Sequence, residues 1–296
     1  MTNILGKSEK RFQVIIHIIL IFMAILPLWV LVAGSVTGEQ ELILEGYSLM
    51  PKTFSLDAYK YLFYKASEIF RAYGITVFIT VVGTAASLFI TPLLAYPLSR
   101  KDFKARNIFS FLVFFTMLFN GGIVPSYIMW TRIFHLKNTI TALILPGLLM
   151  NGFNVILMKN YFAQNIPAEL IEAAKMDGAG EFKIFFKMIL PLSLPIMATV
   201  GLFVGIGYWN DWTNGLYYVT DAKLYSLQNL LNRILQDVQF LNSSTMTNAG
   251  VAATTQMPSV SIRMAISVVG ILPIMVLYPF FQKYFVKGIA VGAVKG

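Results

Sequence analysis

The sequence predicts an all-α, polytopic membrane protein with six transmembrane helices. Of the 296 residues, 57% are hydrophobic and 12% are charged, and the mean hydropathy is +0.69, which is too apolar for the surface of a soluble globule. Six segments are apolar over about 20 residues, the helical length that crosses a hydrocarbon core. The predicted spans are 14–36, 73–98, 108–130, 139–158, 194–212 and 262–284.

The first span begins shortly after Lys10 and Arg11 and resembles the start of a signal peptide. Its apolar run is longer than the roughly 7 to 15 residues of a signal-peptide core. We therefore expect a retained helix, preceded by a short N-terminal segment over residues 1–13, within a six-helix transmembrane domain over 14–284.

The distribution of basic residues predicts the orientation. Of the 23 lysines and arginines, 14 lie on the same side as the N-terminus and nine on the other, and Arg100, Lys101, Lys104 and Arg106 form the densest group. The positive-inside rule then places both termini, the loop 159–193 and a tail over 285–296 in the cytoplasm. Because the basic residues are spread between apolar runs, no nucleic-acid partner is expected.

Two longer segments are predicted on the outer side. The segment 213–261 is polar and too long for a simple connection, which is typical of a loop with a binding role. The segment 37–72 is predicted to contain a short interfacial helix near residues 59–63.

The residue inventory excludes several classes of chemistry. Cysteine is absent, which rules out disulfides and thiolate sites, and His17 and His135 lack partners at metal-ligand spacing, so no metal site is expected. No Gly-x-x-x-x-Gly-Lys-Ser/Thr run is present, so this chain is not expected to bind ATP itself. An intramembrane enzyme would need paired carboxylates or a Ser–Lys or Ser–His arrangement, and none lies within the spans.

The loop 159–193 carries the most informative pattern. Pro167 suits the first turn of a helix, Glu169 complements its positive end, and Gly178 is placed to stop it. One face of this helix is predicted to carry Leu170, Ala173, Ala174 and Asp177. A second helix is predicted from about Glu181 to Leu190, ending at Pro191.

A helix of about ten residues is only marginally stable alone in water, so it must pack on something. A small Ala173-Ala174 surface and the charge of Glu172 would suit docking into a groove of a partner protein. The same pattern fits a surface helix lying on its own bundle or on lipid headgroups. The pattern alone leaves both interpretations open.

These residues resemble a known motif. Glu172-Ala173-Ala174, Gly178, Met188 and Leu190-Pro191 stand at the spacing of the EAA loop of bacterial ABC importer permeases, with Asp177-Gly178-Ala179 matching a frequent variant. The single departure is Met188, where the family usually has isoleucine, and this exchange nearly conserves volume.

The resemblance extends to the smaller membrane subunit of the maltose importer and to polysaccharide and multiple-sugar permeases. Asn120 to Tyr127 is similar to their Gly-Gly-x-x-Pro-x-Tyr element, and Trp209 to Trp212 is similar to their Trp-Asn-acidic element. The last residues, Val294, Lys295 and Gly296, resemble a tail that reaches into the ATPase dimer.

The resemblance implies a type I ABC importer permease fold and a heteromeric complex. The implied partners are a homologous second permease, two copies of an ABC ATPase that binds ATP and Mg, an extracellular solute-binding protein, membrane lipid and a carbohydrate cargo, expected to be an oligosaccharide. The residues implied in coupling to the ATPase are Glu172, Ala173, Ala174, Asp177, Gly178 and Ala179. The outer loop 213–261 is the expected contact with the binding protein.

A substrate path is expected where polar and aromatic residues lie within the spans. The candidates are Asn120, Tyr208, Trp209, Asn210 and Asp211. Asn151 and Asn154 fit interhelical hydrogen bonds better. In maltose-type systems the partner permease holds most of the sugar. The alternative to an importer subunit is a stand-alone secondary transporter or channel, which the absence of a visible internal repeat disfavours.

Overall fold

A computed structural model of the chain describes residues 7–247 and 260–293, with side chains described over 11–240 and 260–276. These residues form helices joined by short connections. Among them the only strand-like pairing is an isolated bridge between Thr37 and Phe54. The predicted all-α class is therefore confirmed for the described part of the chain.

The helices follow one another closely along the chain. The first four are α1 (Lys7–Ser35), α2 (Glu39–Leu44), α3 (Asp57–Tyr64) and α4 (Ala66–Ser99). Next come α5 (Arg106–Leu118), α6 (Ile123–Ile128) with a π-helical turn (Met129–Ile133), α7 (Thr141–Ile144) and α8 (Gly152–Asn165). Then follow α9 (Ala168–Met176), α10 (Glu181–Ile184) with a π-helical turn (Phe185–Ile189), α11 (Leu190–Leu192) and α12 (Leu194–Trp209). The last are α13 (Thr213–Tyr218), a 3₁₀ turn (Ala222–Leu224), α14 (Leu227–Thr247) and α15 (Val260–Ala293).

Two described helices are long and apolar enough to cross a membrane alone, Arg11–Ser35 and Ala66–Ser99. They correspond to the first two predicted spans. Two further pairs of helices are each long and apolar enough to count as one bent span. The first is Arg106–Leu118 with Ile123–Ile133, bent by 111°, and the second is Glu181–Leu192 with Leu194–Trp209, bent by 79°. The described residues therefore do not confirm the predicted count of six.

The third and fourth predicted spans are interrupted. The break between α5 and α6 contains Gly122 with a φ of 85°, a left-handed conformation that glycine adopts without steric cost. The Asn120 side chain stabilises this turn, because its Oδ1 accepts a hydrogen bond from the Gly122 N–H at 2.8 Å. In the fourth span, residues 145–151 separate α7 from α8.

The two segments predicted to lie on the outer side contain more helix than the sequence predicted. The short helix expected near residues 59–63 is present as α3, and the long segment 213–261 holds α13, a 3₁₀ turn and α14. Helix α15 continues to Ala293, past residue 284 where the sixth span was predicted to end. Val294, Lys295 and Gly296 lie outside the described residues.

The chain divides into two compact units. The first unit comprises Met1–Ser67 and Leu231–Pro273. In it, the Glu39 carboxylate accepts hydrogen bonds from the backbone N–H groups of Val260 and Ser261, at 2.8 and 2.9 Å. A carboxylate at this position satisfies N–H groups that have no partner within the helix, and it thereby caps the start of α15.

The second unit comprises Glu68–Leu230 and Ile274–Gly296 and contains the candidate functional residues that the structure describes. In its core, Gly83 of α4 accommodates the ring of Tyr208 from α12, and Gly201 of α12 faces Leu88 of α4. Glycines at a helix contact let two backbones approach closely, as in membrane helix packing generally. This core supports α9 and the segment 147–154.

Candidate functional site

The predicted coupling helix is present as α9. It starts directly after Pro167 and ends before Gly178, whose φ of 76° suits glycine. The Ala179 N–H donates to the Ala174 carbonyl at 2.9 Å, and the Gly178 N–H donates to the Lys175 carbonyl at 3.0 Å. This pair of bonds is a Schellman motif, which closes a helix by satisfying its last carbonyls.

One face of α9 is buried and the other is exposed. Ile171 and Ala174 are buried in the core of the second unit. Glu172, Ala173, Asp177 and Gly178 are exposed, as is Met176 at 89%. The sequence grouped Ala173, Ala174 and Asp177 on one face, but the structure turns Ala174 inward and leaves the other two outward. Ala179 is half-buried against the same core.

The helix after α9 differs from its prediction. It begins at Glu181 as expected but continues through Pro191 to Leu192, with a π-helical turn in its middle. The chain bends by 79° at Ser193, which is buried and whose hydroxyl donates to the Ile189 carbonyl at 2.6 Å. The bend therefore comes two residues later than Pro191.

A ring of four alternating charges, which we call the charge ring, joins the end of α4 to the segment around α9. It consists of Arg100, Asp102, Lys175 and Glu181. Lys175 Nζ lies 2.8 Å from Glu181 Oε1 and 3.3 Å from Asp102 Oδ2, and Arg100 Nε donates to Asp102 Oδ1 at 2.9 Å. The Arg100 side chain is only 15% exposed.

The hydroxyl of Tyr96 completes the charge ring. Arg100 Nη1 donates to this hydroxyl at 2.8 Å, and the hydroxyl donates to Glu181 Oε2 at 3.1 Å. The Tyr96 ring also contacts Phe185, with centroids 5.4 Å apart. The position of α9 is therefore fixed relative to the end of α4 by ionic contacts as well as by apolar packing.

The charges of the ring persist over a wide pH range. The hydrogen bond from Arg100 and the nearby Lys175 lower the pKa of Asp102 to about 2. The hydrogen bond from Lys175 lowers the pKa of Glu181, and the Glu181 carboxylate raises the pKa of Lys175. All four groups therefore stay charged near neutral pH. Stabilisation by the two carboxylates should be lost only as the pH falls through their lowered pKa values, and that by Lys175 only at high pH.

Reasoning from the sequence missed the charge ring. Asp102 and Lys175 are distant in sequence, and a charged residue in a loop has no periodicity that predicts a partner. The ring also places the basic segment 100–106 and α9 on one side of the molecule, since Asp102 contacts Lys175 directly.

The candidate substrate-path residues lie in two places. Asn120 is exposed in the break between α5 and α6, where its side chain supports the turn. Tyr208, Trp209, Asn210 and Asp211 lie together at the end of α12. No hydrogen bond among the described residues joins Asn120 to the α12 group.

The α12 residues differ in exposure. Tyr208 is fully buried, with its hydroxyl donating to the Ile144 carbonyl at 2.8 Å, and Trp209 packs against Tyr73 with ring centroids 6.3 Å apart. Asn210 is exposed. Asp211 is half-buried, and its Oδ1 accepts the N–H of Thr213 at 3.1 Å.

A cavity of about 470 Å³ separates the segment 147–154 from α12. Its lining includes Asn151 and Asn154, which the sequence analysis assigned to interhelical hydrogen bonds. Asn151 instead caps its own helix, with Oδ1 accepting the Phe153 N–H at 2.9 Å. The Asn154 side chain makes no hydrogen bond to any described residue and lines the cavity.

Two proteins of Bacillus subtilis (strain 168) are similar to nearly the whole chain. The chain is 44% identical to protein LplC of Bacillus subtilis (strain 168), over 93% of this chain and 90% of LplC. It is 40% identical to the polygalacturonan/rhamnogalacturonan transport system permease protein YtcP of the same organism, over 98% of this chain and 100% of YtcP.

A solved structure shows the same fold. A chain in the crystal structure of a bacterial ABC transporter involved in the import of the acidic polysaccharide alginate superposes with a TM-score of 0.76 at 29% identity. The match covers 96% of this chain and 100% of that chain.

Residues 89–291 match the family described as binding-protein-dependent transport system inner membrane component. That range contains α9, the charge ring and the cavity. With this match and two close relatives spanning nearly its whole length, the chain belongs to the family of binding-protein-dependent inner-membrane transport components and is an ABC importer permease.

Proposed function

We propose that this permease translocates an oligosaccharide delivered by an extracellular solute-binding protein, and that α9 couples the movement to a separate ATPase. The observation that carries the proposal is the two-sided construction of α9. Its buried face is fixed by Ile171, Ala174 and the charge ring, while Glu172, Ala173 and Asp177 stay exposed. A helix that must transmit force needs both a rigid attachment and a free surface.

The partner in this proposal holds the nucleotide. Two copies of an ABC ATPase would bind ATP and Mg, and this chain would pair with a homologous second permease. The exposed small side chain of Ala173 allows a close approach, and Glu172 offers a charge to a basic residue of the ATPase groove. Val294, Lys295 and Gly296 are proposed to reach the same ATPase dimer.

The proposed orientation places α9, the segment 100–106 and both termini in the cytoplasm. The contact between Asp102 and Lys175 supports this sidedness, because it joins two segments that the positive-inside rule assigns independently to the inner surface. The long outer segment, including α14, would then face the solute-binding protein.

A carbohydrate cargo is supported by the relatives. YtcP is named for transport of polygalacturonan/rhamnogalacturonan, and the structurally similar transporter imports alginate. We propose that the cargo here is an oligosaccharide derived from a polysaccharide. Its path would pass Asn120, Asn210 and Asp211, with Tyr208 and Trp209 forming the supporting wall.

Glu172→Ala in the assembled transporter tests the coupling role. We expect oligosaccharide uptake to fall about tenfold or more, because removing one partner of an interfacial charge pair leaves the other unpaired. The measurements are ATP-dependent uptake into proteoliposomes, ATP hydrolysis stimulated by the binding protein, and co-purification of the ATPase. Trigalacturonate, an alginate trisaccharide and maltotriose serve as probe cargoes.

The matched control is Glu68→Ala, the same substitution at an exposed glutamate near the start of α4. It should leave co-purification of the ATPase and its stimulation unchanged. Wild-type uptake and stimulation in Glu172→Ala would overturn the coupling role. Uptake by this chain alone, without ATP or an ATPase, would instead favour a stand-alone transporter or channel.

A further inference from the structure

The cavity between the segment 147–154 and α12 has the size of a small-molecule site. At about 470 Å³ it lies wholly within the second compact unit. Its lining comprises Gly147, Leu148, Asn151, Phe153, Asn154, Phe203, Val204 and Gly207. None of these described lining residues is charged.

Asn154 is the feature of this cavity that packing does not explain. The residue is only 6% exposed, yet its amide makes no hydrogen bond to a described residue. Neither amide atom is among the fully buried, unpaired side-chain atoms of the described residues, so both are accessible from the cavity. The Asn154 amide therefore has both a donor and an acceptor available to whatever occupies the cavity.

Two aromatic rings stand beside this amide. Phe153 and Phe203 are 53% and 41% exposed, so much of each ring is accessible. The glycines at 147 and 207 add no side chain to the space. An amide with open donor and acceptor groups, next to apolar ring faces and without charge, matches the hydroxyl groups and C–H faces of a sugar ring. The lining offers no counter-charge, so a uronate ring would hold its carboxylate outside the cavity.

The depth of the cavity also fits a transport site. Along α8, Asn154 lies about 16 Å from the helix end at Asn165, and along α12, Val204 lies about 15 Å from the start at Leu194, at about 1.5 Å per residue. Both of these helix ends flank the coupling segment. Half of a hydrocarbon core of about 30 Å is the same length, so helices that start at the inner surface and run along the membrane normal would hold this cavity near the bilayer midplane.

We propose that this cavity binds one sugar ring of the transported oligosaccharide, through the Asn154 amide and the Phe203 and Phe153 rings. The inference rests on the proposed function, since it names a substrate contact within this chain. It adds that this subunit contributes its own recognition site, rather than leaving sugar binding to its partner permease.

Asn154→Leu separates substrate binding from packing, because leucine has a similar branched shape but no hydrogen-bonding group. If Asn154 contacts sugar, uptake at low sugar concentration should fall about tenfold, the effect of losing one or two hydrogen bonds. The melting temperature of the complex should stay about the same, since the Asn154 side chain makes no hydrogen bond within the described residues that leucine would remove. Asn160→Leu is the control on the same helix, at an exposed position away from the cavity.

A thiol-protection experiment tests occupancy directly. The chain has no cysteine, so Asn154→Cys introduces its only thiol, with Asn160→Cys as the comparison. We expect trigalacturonate, an alginate trisaccharide or maltotriose, whichever the wild-type complex transports, to slow alkylation at position 154 during turnover and to leave position 160 unaffected.

The outcomes distinguish this inference from the proposed function. If the wild-type complex shows no ATP-dependent uptake of any saccharide, the proposed function fails. If the wild type transports sugar while Asn154→Leu transports like Asn160→Leu and position 154 is not protected, the cavity holds only water and the inference is overturned. If Asn154→Leu lowers the melting temperature, and uptake falls only in proportion to the loss of folded complex, the inference is likewise overturned and Asn154 has a structural role.

Discussion

Helix α12 meets its neighbours in two different ways. Toward α4 the contact is closed, because the ring of Tyr208 fills the space left by Gly83 and Leu88 fills the space beside Gly201. Toward the segment 147–154 the contact stays open around a cavity of about 470 Å³. Both contacts involve a glycine of α12, but only at the contact with α4 do side chains fill the space beside that glycine.

The two faces of α12 therefore serve different purposes: the face toward α4 stabilises the bundle, and the face toward the segment 147–154 is free to bind a ligand. The closed face buries an aromatic ring and satisfies its hydroxyl, which is typical of a contact that holds a bundle together. The open face keeps the Asn154 amide unpaired but accessible from the cavity, which is typical of a surface that binds a ligand. Substitutions on the two faces should therefore affect different measured quantities.

Gly83→Ala should have the largest effect on stability. A Cβ atom at this position would overlap the ring of Tyr208, which cannot easily move because it is fully buried and hydrogen-bonded to Ile144. Overpacking of this kind destabilises by about 1 to 3 kcal/mol. The measurement is thermal unfolding of the purified complex in detergent.

Gly74→Ala is the matched control for Gly83→Ala. It lies on the same helix, and no heavy atom stands within 4 Å of where its Cβ would be. We expect unchanged or slightly increased stability. Equal melting temperatures for the two variants would show that the contact between α4 and α12 is not closed.

Local pattern was sufficient to predict some elements of the fold. The apolar runs predicted α1 and α4, and Pro167 and Gly178 predicted the bounds of α9, because each of these signals acts within a few residues along the chain. Hydropathy did not reveal the break at Gly122, since its left-handed turn depends on backbone conformation rather than on apolar character. The same reason applies to the interruption between α7 and α8.

The sequence located the candidate site only in part. The helix α9 with an exposed Glu172 and Ala173 was expected, but the burial of Ala174 was not. The contact between Asp102 and Lys175 could not be predicted, because it depends on how distant segments fold together. Asn154 was noticed as a polar residue within a span. Only the structure distinguishes a residue that pairs with a neighbouring helix from one that lines a cavity.

Tyr208→Phe should lower stability by an intermediate amount, and it tests the closed contact between α12 and α4. It removes the 2.8 Å hydrogen bond to the Ile144 carbonyl while keeping the ring beside Gly83. A net loss of about 0.5 to 1.5 kcal/mol is expected for one buried hydrogen bond. Unfolding of the complex measures this loss, with Tyr217→Phe as the control at an exposed tyrosine nearby. A raised half-saturating sugar concentration with unchanged stability would instead place Tyr208 in the substrate path.

Gly207→Ala should change stability least, and it tests the face of α12 that lines the cavity. A Cβ here would stand 3.7 Å from Leu148 Cδ2, an ordinary contact, and replacing glycine within a helix stabilises by up to about 1 kcal/mol. The added methyl group narrows the cavity, so uptake of the transported trisaccharide should fall although the complex melts at the same or a higher temperature. Because Gly83→Ala should lower stability, the two alanine variants should move stability in opposite directions. Wild-type uptake in Gly207→Ala, measured beside the Asn154→Leu variant, would mean that the cavity does not limit passage of the sugar.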